Sequence, residues 1–127
     1  MSEVIEEYAS RSCRIVKEQK EDGQQIRYHY DGPMGRLKSF NRLDKAQLYA
    51  DVATVTGGFL ETDTGERGAP PLVARSREDV LMAYYASQPT LSVQWVSTFF
   101  DLPVERVREY IASLQDRAKQ KREVNHP

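Results

Sequence analysis

The apolar positions change their period along the chain, and the elements follow from those changes. Cys13–Gln19 reads as a strand, and so does Gln25–Tyr30, with Lys20-Glu21-Asp22-Gly23 as the turn between them. Asp31-Gly32-Pro33-Met34-Gly35 supplies a second turn, and Arg36–Phe40 a third strand, giving a small antiparallel meander. Alternation places Ile26, Tyr28 and Tyr30 on a core face and Arg27 and His29 on a solvent face. Leu43–Thr56 then reads as a helix, with Leu48, Val52 and Val55 on one stripe. Asp44 suits its N-terminus as a cap and through the helix dipole, and Gly57-Gly58 ends it.

Phe59–Arg75 carries Gly65, Gly68 and Pro70-Pro71 and is expected to be an irregular linker. Its two glycines are too few for a phosphate cradle. Ser76 is placed to cap the next helix, with Asp79 in the acid position of a capping box. Val80, Leu81, Ala83, Tyr84 and Tyr85 form its apolar side, and Gln88-Pro89-Thr90 ends it. The expected organisation is α+β: a meander with one helix over 1–58, a linker over 59–75, and a three-helix module with a basic tail over 76–127.

Composition narrows the function classes. The 127 residues carry a net charge of -1, so nothing pulls the whole chain toward nucleic acid or an anionic membrane, and any basic surface must be local. Residues 11–50 are basic, and Arg117, Lys119, Lys121 and Arg122 make the tail basic. Cys13 is the single cysteine, which excludes an internal disulfide and suggests a reducing, cytoplasmic setting. The acidic opening lacks a signal-peptide layout, and no apolar run reaches membrane-spanning length. His29 and His126 are far apart, so His and Cys alone assemble no zinc cluster. No nucleophile–base arrangement is visible and no cofactor is implied, so a non-enzymatic role is expected. Cys13 reads as a small core residue, and Trp95 as core in preference to a partially exposed anchor for a partner.

The segment Leu91–Ile111 carries the functional signal. Val96, then the small Ser97, then Phe100 one turn on, fit a first helix crossed closely by a second. Asp101-Leu102 fits the turn, and Pro103 is tolerated at a helix start. Val107, Tyr110 and Ile111 fit the core positions of the second helix. With the preceding helix Ser76–Ser87 as the first of three, the region over roughly residues 76–115 resembles the three-helix helix-turn-helix regulators of bacteria and archaea. Ser97 stands where Ala is commoner and Asp101 where Gly is commoner; both are small or tolerant of the left-handed turn.

The resemblance implies that the helix Val104–Ser113 enters the major groove of DNA. Val104, Glu105, Arg108, Glu109 and Ala112 would then face outward near its front. Arg108 would meet a guanine edge and Glu105 a cytosine amino group. Ser92, Gln94 and Thr98 would touch phosphates, and Arg106, Arg117, Lys119 and Lys121 would neutralise the backbone. Such regulators often bind as dimers, and Ala118 and the tail, beyond the stripe Val104, Val107, Ile111 and Leu114, are where pairing would show.

Two other readings stay open. Glu105 and Glu109 repel phosphates unless paired, and Arg108 is within ion-pair reach of Glu105. The module would then dock on a protein of the transcription or translation machinery instead of DNA. A third reading has the sheet stack RNA bases on Tyr28, Tyr30 and Phe40, which requires those rings to be exposed.

Overall fold

The computed structural model describes residues 2–8, 13–19, 25–57 and 69–124. Strands β1 (Ser2–Tyr8), β2 (Cys13–Gln19), β3 (Ile26–Gly32) and β4 (Gly35–Phe40) form an antiparallel sheet in sequence order. Helices α1 (Leu43–Thr56), α2 (Pro71–Ala74), α3 (Glu78–Ser87), α4 (Val93–Phe100) and α5 (Val104–Val124) follow. The fold is α+β, with an N-terminal meander and C-terminal helices, as the patterning predicts. The turn expected over Lys20–Gly23 lies outside the described residues.

Strand β1 was hidden in the acidic opening. Val4 pairs with Val16 and Glu6 with Ile15, so Ile5 is an extra residue in the ladder. That bulge breaks the period of two by which a strand is recognised. The strand lies at the edge of the sheet, where its carboxylates discourage further strand pairing.

One face of the sheet packs on α1. Ile15, Tyr30 and Phe40 are buried there, and the rings of Tyr30 and Phe40 lie 5.5 and 5.4 Å from that of Tyr49. Cys13 is buried in the same core. Tyr28 is half-buried and Ile26 is exposed at the strand end. His29 departs from the expected solvent position: it is buried on the other face. Its Nε2–H donates to Glu18 Oε1 at 3.3 Å, and Nδ1 lies 2.8 Å from the Ser39 hydroxyl. Strand β3 is interior, so His29 is flanked by Val16 of β2 and Ser39 of β4 whichever face it uses.

Helix α1 is buried nearly all round, as befits a helix between the sheet and other helices. Asp44 is not its cap: Arg42 holds that position, and Asp44 accepts from the Lys45 N–H at 3.0 Å and from the Arg42 guanidinium at 3.0 and 2.6 Å. Gly57 ends the helix in the left-handed region, with φ 81°.

Residues 58–68, most of the expected linker, lie outside the described residues. The remainder is not loosely solvated: Ala69, Pro70 and Val73 are buried, and Pro71–Ala74 is a helical turn packed on α3. The capping box expected at Ser76 does not form. Helix α3 begins at Glu78 after Arg77, and the Ser76 hydroxyl donates to the Leu72 carbonyl at 2.6 Å. Asp79 turns inward, accepting from the Val80 N–H at 2.9 Å and from Arg117 at 2.6 Å.

One hydrophobic core runs through both parts of the chain, from Cys13 and Ile15 to Val107 and Leu114. Helix α1 packs on α3 and α5 as well as on β3 and β4. Helix α5 contributes Val107, Leu114 and Ala118, all fully buried. Burying a side chain the size of Val107 or Leu114 contributes about 1.5–3 kcal/mol relative to leaving it in water. Ala118, expected at a pairing surface, is therefore part of the protein's own packing.

Candidate functional site

Two helix ends shape the α4–α5 unit. The Ser92 hydroxyl accepts from the Trp95 N–H at 3.1 Å and caps α4. At the other end Asp101 takes φ 55° and ψ 50°, the only positive φ outside glycine among the described residues. The Leu102 N–H then reaches back to the Ser97 carbonyl at 3.0 Å, and the Ser97 hydroxyl donates to the Leu102 carbonyl. Those bonds satisfy carbonyls that a helix terminus leaves open, and they reverse the chain within three residues into α5. Val96 and Val107 are fully buried, with Phe100, Leu102, Tyr110 and Ile111 packed around them.

The front of α5 is open. Glu105, Arg106, Arg108, Glu109 and Ala112 are exposed, and Val104 is half-buried. Arg106 pairs with Glu109 at 2.9 Å and lies over the Tyr110 ring. The Glu109 carboxylate holds the Arg106 guanidinium above its ordinary pKa. Glu105 and Arg108, one turn apart on α5, make no ion pair among the described residues.

Arg108 opens onto a cleft of about 570 Å³ between α1, α3, α4 and α5. Ser92, Val93 and Gln94 form one side of it, from the first turn of α4. Arg42, Asp44 and Lys45 come from the start of α1, with Leu48, Ala86, Leu91 and Ile111 as apolar wall and Gln115 at the α5 side. Lys45 is a fastener here: its ammonium donates to the carbonyls of Ala86, Gln88 and Leu91 at 2.9, 2.7 and 2.5 Å. Burial, followed by repulsion from Arg42, lowers its pKa, and Asp44 works against both. A smaller cleft of about 240 Å³ lies between Arg77, Glu78 and Asp79 and the Arg106, Glu109, Tyr110 and Ser113 side of α5.

The structure gathers three of the residues the sequence proposed, Ser92, Gln94 and Arg108, around the larger cleft. Thr98 is exposed one turn along α4, its hydroxyl bonded to the Gln94 carbonyl at 3.1 Å. The tail bases go elsewhere. Arg117 pairs with buried Asp79, Lys121 donates to the Val55 carbonyl at 3.1 Å, and Arg122 pairs with Asp51 at 2.6 Å. They fasten α5 onto α1 and α3, which is why α5 continues to Val124, well past Ser113. Lys119 alone of the tail bases has neither a side-chain hydrogen bond nor an ion pair among the described residues, and it is exposed.

Trp95 is 39% exposed and so is not core; it stands as the partially exposed ring of the alternative reading. It stacks on Phe99, itself 50% exposed, with centroids 4.9 Å apart and planes at 11°. Both rings meet the buried Tyr85 edge-on. The burial of Tyr30 and Phe40 ends the base-stacking reading of the sheet. Arg42 and Lys45 were not singled out from the sequence, because nothing in a linear pattern brings α1 beside residues of α4 and α5.

Among the described residues no group of three or more His, Cys, Asp or Glu is placed to hold a metal, and no helix is long and apolar enough to cross a membrane. Comparison with known proteins returns no matching family model, no matching curated protein and no matching solved structure.

Proposed function

We propose that the chain is a non-enzymatic DNA-binding protein, a transcriptional regulator or chromatin-associated factor, that lays the front of α5 in the major groove. The observation that carries this reading is Arg108: an exposed guanidinium without a carboxylate partner, at the front of a helix reached by a tight turn. Around it stand groups suited to phosphate. The Ser92 hydroxyl keeps its proton for donation while its oxygen caps α4, and Gln94 and Arg42 line the same cleft. Of the expected backbone contacts, Lys119 is retained, Arg106 must share itself with Glu109, and Arg117 and Lys121 are engaged within the fold.

The test is duplex binding against salt. Binding with a Kd of about 10⁻⁴–10⁻⁶ M or tighter is expected, weakening steeply as salt rises. Arg108→Ala abolishes sequence preference, whereas Lys119→Ala weakens all duplexes alike and lowers the salt slope by about 1. No binding at low salt overturns the proposal.

A second reading is favoured by a separate observation. The stacked Trp95–Phe99 pair is a compact aromatic surface on α4, the kind of anchor a protein interface uses. Under it the module docks on another protein, and Trp95→Ala abolishes complex formation while leaving duplex affinity unchanged.

A further inference from the structure

We propose that the cleft between α1, α4 and α5 binds a small organic anion, an oxyanion on a short apolar body, and that its occupancy withdraws Arg108 from DNA. The competition half rests on the DNA reading; the binding half does not.

The cleft is lined by charged and aliphatic side chains together. Arg108 has no counter-ion, and Arg42 lines the same space from the start of α1. Asp44 also borders it, but its carboxylate is held by the Arg42 guanidinium at 2.6 and 3.0 Å and by the Lys45 N–H at 3.0 Å. The Lys45 ammonium gives its three hydrogen bonds to backbone carbonyls, so it shapes the floor without offering a donor. The oxyanion therefore goes to Arg108, whose planar fork matches a carboxylate or phosphate in two parallel hydrogen bonds.

Leu48, Leu91 and Ile111 add an aliphatic wall. A bare inorganic anion leaves that wall in water, whereas a ring or short chain covers it. The volume, about 570 Å³, falls in the range of about 300–1,000 Å³ typical of small-molecule sites. Its walls come from segments well separated in the sequence, α1 and the α4–α5 unit, so a ligand there bears on how the two are held. Arg108 cannot form a bidentate pair with a ligand and with a guanine edge at once, which is the basis of the competition.

Phenyl phosphate, hexanoate and inorganic phosphate are titrated into the whole ¹⁵N-labelled chain without DNA. Phenyl phosphate or hexanoate is expected to shift the amides of Ser92, Val93, Gln94 and Ile111, with a Kd on the order of 1 mM or tighter. Arg108→Ala is expected to weaken that binding at least tenfold, Arg42→Ala less, and Lys119→Ala not at all. Equal shifts with inorganic phosphate overturn the proposal, because the site is then a bare anion seat of the kind a DNA phosphate fills. No shift with any of the three overturns it too. The same ligands are then added to the protein–duplex complex, where displacement is expected. Ligand shifts without any duplex binding sink the DNA reading and the competition together, and leave the ligand site standing. Ligand shifts with undisturbed duplex binding overturn the competition alone.

Discussion

Asp51 looks like an ordinary exposed acid in the sequence, yet its side chain is only 10% exposed and faces Arg122, 71 residues away, at 2.6 Å. Burial raises its pKa above the ordinary 3.8; the hydrogen bond and charge of Arg122 oppose that, and Glu6 adds to it. The folded chain thus holds this proton more tightly than the unfolded one. The stability it contributes is present in full below pH 3.8 and is lost as pH rises through the raised folded value. Asp51→Asn keeps the shape and an acceptor for Arg122 while removing the buried charge. Its melting temperature relative to the unmodified protein is expected to be higher at about pH 7 than at about pH 4. The opposite trend in thermal melts would mean that Arg122 outweighs burial. His29 teaches the same lesson: alternation gives its face, but not whether that face is covered.

At the scale of elements, regular spacing was legible and reciprocal capping was not. The α4–turn–α5 segment follows from local preferences: Ser92 caps, Asp101 tolerates the left-handed turn, and Val96 and Val107 meet. Asp101→Gly removes the remaining strain of φ 55° and is expected to stabilise the protein by about 0.5–1 kcal/mol in urea melts. Asp101→Val is expected to destabilise it by about 1–2 kcal/mol. A glycine variant less stable than the unmodified protein would show that the Asp101 side chain itself holds the turn. The capping box at Ser76 is absent on both sides: the Ser76 hydroxyl turns back to the Leu72 carbonyl, and Asp79 is held by Arg117 of a helix 38 residues on. Strand β1 is hidden for a local reason, since its bulge disguises the alternation.

At the scale of the molecule, α1 decides the architecture. It carries the sheet on one side and α3 and α5 on the other, and Tyr49 touches Tyr30, Phe40 and Tyr84. Shared burial of this kind makes the halves depend on each other. Sheet and helices are expected to unfold in a single transition, with tyrosine fluorescence and far-ultraviolet circular dichroism giving the same midpoint. Two separated transitions would show that the meander and the helices are independent. Periodicity and φ preference act within a few residues, and they suffice for the order of three strands and the main helices, the α+β class and the α4–α5 turn. No local rule says that the tail bases clamp α5 onto α1 and α3, that Trp95 lies at the surface, or that Arg42 shares a cleft with Arg108. Those outcomes turn on which charges and rings meet across tens of residues, and burial and pairing are set by the whole packed chain.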